Sequence, residues 1–194
     1  KDDPLTKKVS ARLTREVDRM VVLMEDILTL GKAQSGAIKP RFKMIDLVKL
    51  INSIKSDVDM SQKDGRSLKL EVIGNQRMAK LDEGLMRQAV LNLVTNAFKY
   101  SYEKPNPVVT IDYSSANSIK IIVKDFGLGI SEDNLSRIFK DFYRSEDVSH
   151  IPGTGLGLSV TSEFLKINKC TISVESELGE GSLFTVLIRH HNER

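Results

Sequence analysis

The chain has 194 residues, of which 40% are hydrophobic and 28% charged, a balance typical of a folded globular protein. Its formal net charge of +3 is too small to indicate nucleic-acid binding. The single cysteine, Cys170, excludes an internal disulfide and a zinc site built from cysteines. The sequence contains neither an apolar run of the about 18 to 20 residues that a membrane span needs nor an opening signal-peptide pattern.

The first predicted element is a long amphipathic helix that follows Pro4 and ends near Ser35 and Gly36. Residues spaced alternately by four and three form one stripe, which comprises Leu13, Val17, Met20, Met24, Ile27 and Gly31. The helix must bury this stripe, either on the following domain or against other helices in a bundle. We favour the bundle, because the rest of the chain accounts for a domain without this helix.

Two further helices and a strand follow the linker at Pro40. Asp46 is the predicted N-cap of a helix over residues 47–63, and alternating apolar residues predict a strand over 68–72. A third helix is predicted over 82–100, with the apolar positions Leu85, Met86, Ala89, Val90, Leu93, Val94 and Ala97. These elements place helices before most of the strands.

The third helix carries three polar residues on one face. Asn92 and Asn96 are four apart and Lys99 follows three residues later, so all three share a face. Asparagine is a mediocre helix former, and two of them inside a strong helix indicate a functional site. The alternative is that both asparagines simply face solvent.

The remaining chain predicts strands and one more helix. Strands over 109–113 and 119–123 are joined by a short turn, which favours an antiparallel pair. A helix over 159–168 precedes a last pair of strands over 171–175 and 183–188. The predicted fold class is α+β, with helices on one face of a mixed, largely antiparallel sheet.

Two glycine-rich segments flank a polar stretch in the second half of the chain. They cover residues 125–130 and 153–158, and the second runs directly into a predicted helix, whose free N–H groups favour an anion. The intervening residues 139–152 read as a lid over a nucleotide pocket. The spacing excludes a Walker P-loop, a dinucleotide fingerprint of the G-x-G-x-x-G type and the loops of eukaryotic-type protein kinases.

Four motifs in order resemble those of bacterial sensor histidine kinases. Residues 92–101 resemble the N box, 125–130 the G1 box, 139–144 the F box and 153–158 the G2 box. The resemblance implies a two-layer α/β sandwich of the Bergerat type preceded by a long bundle helix. It also implies that residues 1–38 form the second part of a dimerisation and phosphoacceptor hairpin, and that residues 39–194 form the catalytic ATP-binding domain.

The resemblance also implies roles for single residues. Asn96 is the implied Mg²⁺ ligand, Asp125 the implied partner of the adenine amino group, and Asn92, Lys99 and Arg144 the implied catalytic residues. The implied nucleotide-binding set is Asn96, Lys99, Tyr100, Asp125, Gly127, Gly129, Ile130, Phe142, Arg144, Gly153, Thr154, Gly155, Leu156, Gly157 and Leu158. ATP and Mg²⁺ are the implied cofactors.

Asn92 favours phosphoryl transfer over hydrolysis. In ATPases of the same fold a glutamate four residues before the Mg²⁺-binding asparagine activates water, and an asparagine cannot act as that general base. The predicted function is therefore transfer of the ATP γ-phosphoryl group to a histidine, for relay to an aspartate of a response regulator. Alternatives are an ATPase or an anti-sigma-type serine kinase of this fold, and a degenerate nucleotide-binding scaffold.

The acceptor histidine is expected outside this sequence. His150, His190 and His191 are its three histidines, and none lies on a predicted bundle helix or precedes an acidic residue. Asp141 stands in the F box where the family often has an arginine. Because the sequence begins without Met, we expect a fragment of a longer protein, with residues 1–8 ending the loop between two bundle helices.

Partners and location follow from the same resemblance. The implied partners are ATP or ADP, an acceptor-histidine helix of the same or a second subunit, and a response regulator receiver domain. The full-length protein is expected to be a homodimer that binds no nucleic acid. The expected location is cytoplasmic, including the cytoplasmic part of a membrane-anchored sensor.

Overall fold

A computed structural model describes residues 4–149 and 151–189. The helices are α1 (Pro4–Gln34), α2 (Leu47–Ser61), α3 (Glu83–Tyr100), α4 (Glu132–Leu135) and α5 (Gly157–Ile167), and a 3₁₀ turn covers Glu146–Val148. The strands are β1 (Lys43–Ile45), β2 (Lys69–Ile73), β3 (Ala79–Leu81), β4 (Val108–Asp112), β5 (Ser118–Lys124), β6 (Thr171–Glu177) and β7 (Gly181–Arg189). His150, His190 and His191 lie outside the described residues.

Five strands form one mixed sheet in the order β2-β4-β5-β7-β6. Only β2 and β4 pair in parallel, and the other three pairs are antiparallel. One row of partners across the sheet joins Ile111, Ile121, Val186 and Ile172. The predicted α+β class and the largely antiparallel sheet are confirmed, as is the β4–β5 hairpin.

One face of this sheet packs under helices α2, α3 and α5. In β5, Ile119, Ile121 and Val123 are buried, whereas Lys120 and Lys124 on the other face are exposed. All seven apolar positions predicted for α3 are buried, and each large aliphatic side chain removed from water contributes roughly 1.5 to 3 kcal/mol. Alternation by two in the strands and by three and four in α3 therefore builds a single core between the layers.

A second, two-stranded sheet pairs β1 with β3 antiparallel. Neither strand was predicted, because three residues are too few to show a period of two. Ile45, Ala79 and Leu81 are buried and extend the core beyond the main sheet. The small sheet thereby joins the linker after α1 to the strand that leads into α3.

The observed ends of α2 and α5 lie within two residues of the predicted ends. Asp46 accepts a hydrogen bond from Lys49 N at 3.1 Å and caps α2, as predicted. The helix ends at Ser61, two residues before its predicted end. Helix α5 begins at Gly157, two residues earlier than predicted, so the second glycine cluster supplies its first turn.

Helix α1 is confirmed, but the expectation that residues 1–8 end a loop is wrong for residues 4–8. The segment 4–8 is helical and not a loop end, because proline at a first helical position needs no hydrogen-bond partner for its missing N–H. The predicted stripe remains exposed: Leu13, Val17 and Met20 are 62%, 57% and 68% accessible. A different face, which buries Leu30 and Ala33, packs against α5.

Asp82 is the N-cap of α3, and its carboxylate accepts from Leu85 N at 3.0 Å and from Arg41 N at 2.6 Å. Burial acts to raise the pKa of this carboxyl, but the backbone N–H groups of Arg41, Leu85 and Gly84 outweigh burial and hold its pKa below the usual 3.8. The ionised carboxylate therefore stabilises the fold above pH 3.8, and that contribution is lost as the pH falls through the lower folded pKa.

We expect Asp82→Ala to lower the free energy of unfolding by about 1 to 2 kcal/mol at pH 7, because α3 loses its N-cap. Urea denaturation measures this difference. Titration of the same measurement into acid should shrink the difference between variant and wild type. An equal loss at pH 7 and at pH 2 would contradict the assignment to the ionised carboxylate.

Candidate functional site

One cleft collects residues from both predicted glycine clusters and the N-box helix. It encloses about 700 Å³ of empty space, its open mouth included. Six predicted nucleotide-binding residues line it, namely Asn96, Tyr100, Asp125, Gly129, Ile130 and Leu158. The other lining residues are Leu128, Ser131, Asn134, Ile138, Tyr143, Ser145, Asp147, Val148, Ser182 and Phe184. The site therefore lies between α3, the loop after β5, the lid and the end of the sheet.

Asp125 follows the end of β5 and supplies a buried carboxylate to this cleft. It is 5% exposed, and its Oδ1 accepts a hydrogen bond from Gly127 N at 2.8 Å. Its own backbone N donates to Ser182 O at 2.9 Å. Burial raises the pKa of the Asp125 carboxyl, and hydrogen bonds from the backbone of Gly127 and Ser182 only partly oppose this rise. A buried acceptor of this kind suits a ligand that donates a hydrogen bond.

The loop after β5 touches the end of α3 through backbone alone. Leu128 N donates to Tyr100 O at 3.1 Å. An ideal Cβ on Gly127 would lie 2.2 Å from that same carbonyl oxygen, and one on Gly129 would lie 1.9 Å from Glu177 O. Gly129 also has a φ of +68°, so both positions require glycine. The first glycine cluster therefore owes its sequence to close backbone packing.

The predicted polar face of α3 is divided between two environments. Asn96 lines the cleft, as predicted. Asn92 lies one turn earlier, and its Nδ2 donates to Thr161 Oγ1 on α5 at 2.8 Å. Its Oδ1 would be 2.7 Å from a Cβ on Gly157. Asn92 thus faces a separate groove between α3, α5 and α1, which also contains Glu25, Asp26 and Thr29.

Lys99 reaches the second glycine cluster from the last turn of α3. Its Nζ donates to Tyr100 Oη at 3.2 Å and lies 4.7 Å from the centroid of that ring. The same Nζ would lie 2.7 Å from a Cβ on Gly153. The ammonium group is therefore beside the glycines, where the sequence predicts phosphates.

Arg144 organises the lid. Its guanidinium donates to the carbonyl oxygens of Gly153 at 3.0 Å, Val148 at 2.8 Å and Ser149 at 3.3 Å, and also to that of Ile151. Its Nε is buried without a hydrogen-bond partner among the described residues. The side chain is absent from the lining of the cleft, so the structure brings Arg144 to the lid backbone and not to the cleft itself.

The F box and the second glycine cluster meet through backbone. A Cβ on Gly155, which has a φ of +79°, would lie 2.9 Å from the carbonyl carbon of Phe142. Phe142 has a φ of +62° and a side chain that is 59% exposed. A positive φ is uncommon for a bulky residue and costs of order 1 to 3 kcal/mol. The structure therefore places the predicted contact residue Phe142 on the surface of the lid.

Thr154 joins the second glycine cluster to α1. Its Oγ1 donates to Asp26 Oδ2 at 2.8 Å and accepts from Leu156 N at 3.3 Å. Leu156 is fully buried and precedes Gly157, the first residue of α5. The lid is thus tied to the long helix by a side-chain hydrogen bond, a contact that the sequence did not predict.

Sequence analysis missed several cleft residues that lie outside the glycine motifs. Ser182 in β7 is 8% exposed and borders the cleft beside Asp125. Tyr143 Oη donates to Asn134 Oδ1 at 2.5 Å, and Ser176 Oγ accepts from Ile130 N at 2.9 Å. Tyr143 lies within the F box and could have been included. Strand pairing brings Ser182 to the cleft and Ser176, which does not line it, to the backbone of Ile130, and no local motif marks either serine.

Comparisons with known proteins show the family to which the chain belongs. The family described as "Histidine kinase-, DNA gyrase B-, and HSP90-like ATPase" matches residues 81–192. Sensor protein kinase WalK of Staphylococcus aureus is 30% identical over 198 residues, which cover 96% of this chain and 46% of that relative. Sensor histidine kinase MtrB of Mycobacterium bovis is 25% identical over 195 residues, which cover 97% of this chain and 34% of that relative. The chain thus spans less than half the length of these relatives.

Solved structures share the fold. Full-length ShkA in complex with AMPPNP superposes with a TM-score of 0.82 at 24% identity, covering 97% of this chain and 39% of that one. The catalytic domain of histidine kinase ThkA superposes with a TM-score of 0.67 at 22% identity, covering 77% of this chain and 97% of that one.

Within residues 4–149 and 151–189, none of the helices is both long and apolar enough to cross a membrane.

Two glycine substitutions should separate backbone collision from side-chain collision. Gly127→Ala should lower the free energy of unfolding by about 2 kcal/mol or more, because its Cβ would meet the Tyr100 carbonyl, which cannot move without breaking α3. Gly153→Ala is the matched control, since its Cβ meets only the end of the flexible Lys99 side chain. It should cost less than about 1 kcal/mol. Urea denaturation of both variants measures the difference, and equal losses would contradict the close packing at Gly127.

Asp125→Asn should raise the melting temperature of the nucleotide-free protein at pH 7. The folded pKa of Asp125 lies above 3.8, so at neutral pH the fold bears the cost of a buried charge, which asparagine removes while its Oδ1 still accepts from Gly127 N. As the pH falls through the raised folded pKa, Asp125 becomes neutral, and below pH 3.8 the pH-dependent part of the difference should vanish. Calorimetric melting between pH 3 and pH 8 checks this, and a gain that grows with acidity would refute it.

Proposed function

The chain belongs to the histidine kinase-, DNA gyrase B-, and HSP90-like ATPase family as a sensor histidine kinase catalytic domain, and from this premise we propose what its cleft does. The cleft binds ATP with Mg²⁺ and presents the γ-phosphoryl group for transfer to a histidine. The proposal depends on the observation that Asp125, which is buried, lines the same cleft as Asn96 and Tyr100. Asp125 supplies a carboxylate for the base, and Asn96 supplies an amide oxygen for the metal ion.

Different residues of the site bind the base and the phosphates of the nucleotide. Asp125 accepts from the adenine amino group, and the first glycine cluster lets the base approach the backbone. Lys99 lies against Gly153, so its ammonium neutralises phosphate charge beside the N-terminus of α5. The glycines of residues 153–158 close over the phosphates. Phosphoryl transfer needs mainly this positioning and charge stabilisation.

Asn96 suits a Mg²⁺ ion that arrives with the nucleotide. Its side chain lines the cleft, and its amide group carries a hard oxygen ligand of the kind that Mg²⁺ prefers. The described residues contain no group of three or more His, Cys, Asp or Glu side chains that could hold a metal alone, so phosphate oxygens and water supply the other ligands. When bound, Mg²⁺ neutralises charge on the transferring phosphoryl group.

Neither Asn92 nor Arg144 lines the cleft. Asn92 hydrogen-bonds to Thr161 and lacks a basic group, so this chain has no general base at the position that activates water in hydrolytic relatives. The implied approach of Arg144 to the terminal phosphate requires its guanidinium to exchange lid carbonyls for phosphate oxygens. Arg144 can make that exchange because phosphate is a charged, bidentate acceptor.

We infer that the exposed stripe of α1 is buried in a helical bundle of the longer protein. Leu13, Val17 and Met20 are more than half exposed on an otherwise well-formed helix. Residues 1–38 then belong to the dimerisation hairpin of a homodimer, and residues 39–194 to the catalytic domain. The acceptor histidine is on the bundle helix, and a response regulator aspartate receives the phosphoryl group in the cytoplasm.

The test begins with calorimetry of ADP binding in the presence of Mg²⁺. The wild-type chain should bind, and Asp125→Asn and Asn96→Ala should each raise the Kd about tenfold or more, because each removes a polar contact to the ligand. Lys120→Ala is the control, since this lysine lies on the exposed face of β5 and should leave the Kd unchanged. A folded wild-type chain that binds no ADP would rule out the proposal.

A second assay separates transfer from hydrolysis. Radiolabelled ATP is incubated with the chain and a separately supplied helical hairpin that carries an acceptor histidine. Phosphate should appear on the hairpin in an acid-labile linkage, with a negligible steady-state ATPase rate. Sustained hydrolysis, or acid-stable phosphate on a hydroxyl group, would instead indicate the ATPase or serine-kinase activity. Binding without either reaction would indicate a nucleotide-binding scaffold.

A further inference from the structure

Arg66 lies in the loop between α2 and β2, outside every sequence motif. Its guanidinium donates to Ser101 O at 2.6 Å, Ser101 Oγ at 3.0 Å and Phe98 O at 3.0 Å. The side chain is 11% exposed, and its guanidinium carbon lies 5.1 Å from the centroid of the Phe98 ring. Asp64 holds the remaining edge through a 2.7 Å bond from Nε. One buried side chain thus binds the end of a helix more than thirty residues away.

The bonds that Arg66 makes are those that a helix end lacks. The last four carbonyls of an α-helix have no partner inside it and carry partial negative charge. In α3, Ser101 Oγ donates to Ala97 O at 2.6 Å, and Arg66 donates to Phe98 O and to the cap residue Ser101. A guanidinium suits this position because it carries positive charge and several N–H donors in a rigid fork. Arg66 therefore caps the C-terminus of α3.

The last two turns of α3 carry the side chains proposed to bind nucleotide. Asn96 and Tyr100 line the cleft, and Lys99 Nζ lies beside Gly153. On that side Tyr100 O accepts from Leu128 N, and Gly127 leaves no space for displacement. On the far side Arg66 donates to Phe98 O and Ser101 O, and Lys104 N also donates to Ser101 O at 3.1 Å. The turn is consequently held by the loop after β5 on one side and by Arg66 and the following backbone turn on the other.

We propose that Arg66 is a positioning residue of the nucleotide site, an inference that rests on the proposed ATP-binding function. It touches neither the cleft nor the nucleotide. By fixing the carbonyls of Phe98 and Ser101 it keeps the last turn of α3 wound, and so keeps the Asn96 amide and the Lys99 ammonium in register with Asp125. Without it the turn frays, and the phosphate side of the site loses its ligands while the core beneath remains folded.

Arg77 provides a matched control within the same chain. Its guanidinium donates to the carbonyl oxygens of Tyr113 at 3.2 Å and Ser118 at 2.6 Å, and also to that of Ser115. It lies 5.8 Å from the centroid of the Tyr113 ring. The chemistry matches that of Arg66, but the carbonyls belong to the turn between β4 and β5 and to the first residue of β5. Removal of Arg77 therefore disturbs a hairpin end that the nucleotide does not approach.

The experiment compares Arg66→Ala with Arg77→Ala in the whole chain. Melting temperature and the Kd of Mg-ADP are measured for each, the Kd at a temperature where both variants are fully folded. Both should melt earlier, but only Arg66→Ala should raise the Kd, by about tenfold. Arg66→Lys should recover part of the affinity, because an ammonium can reach one of the carbonyls. If Arg66→Ala does not fold, the lysine variant takes its place and should bind ADP more weakly than wild type.

The outcomes are distinct. If the wild-type chain fails to bind Mg-ADP, the proposed function itself is ruled out. A wild-type chain that binds, with a folded Arg66 variant that binds equally well, overturns the role of Arg66 and leaves the function intact. Both arginine variants could instead lose affinity in proportion to their loss of melting temperature. This result also overturns the role, because Arg66 would then act only by stabilising the fold.

Discussion

The cleft depends on one backbone contact between the last turn of α3 and the loop after β5. The Tyr100 carbonyl accepts a hydrogen bond from Leu128 N, and Gly127 lies between them with no space for a side chain. This contact sets the spacing between the helix that carries Asn96 and the strand end that carries Asp125. Since both segments also belong to a close-packed core, the two walls of the cleft keep that spacing before any ligand arrives.

Two arginines donate to backbone carbonyl oxygens in different parts of the structure. Arg66 binds carbonyls at the end of a helix that the core already supports, whereas Arg144 binds carbonyls of the lid, whose backbone hydrogen bonds form short local turns. Under the proposed function, phosphate oxygens would compete for the guanidinium of Arg144 and would not reach Arg66. We infer that one wall is permanently formed and that the lid is completed by the nucleotide.

Helix α1 serves two surfaces at once. One face packs on α5 and presents Asp26 to Thr154 of the lid, while the opposite stripe, with Met20 and Val17, is left exposed. A rotation of α1 about its axis moves both faces together, since a helix is a rigid cylinder on this length scale. The hydrogen bond between Asp26 and Thr154 therefore connects the lid directly to the helix that carries the exposed stripe.

The sequence by itself determined the α+β class and the core of α3, because hydrophobic periods are local. The four motifs that resemble those of histidine kinases predicted that Asp125 and Asn96 belong to one site. The sequence did not predict that Asn92 turns towards Thr161, that Ser182 borders the cleft, or that Arg66 caps α3. It also missed β1 and β3, whose three residues show no period. Only the tertiary structure decided these, because the partner of a side chain or carbonyl is chosen by segments far away in the chain.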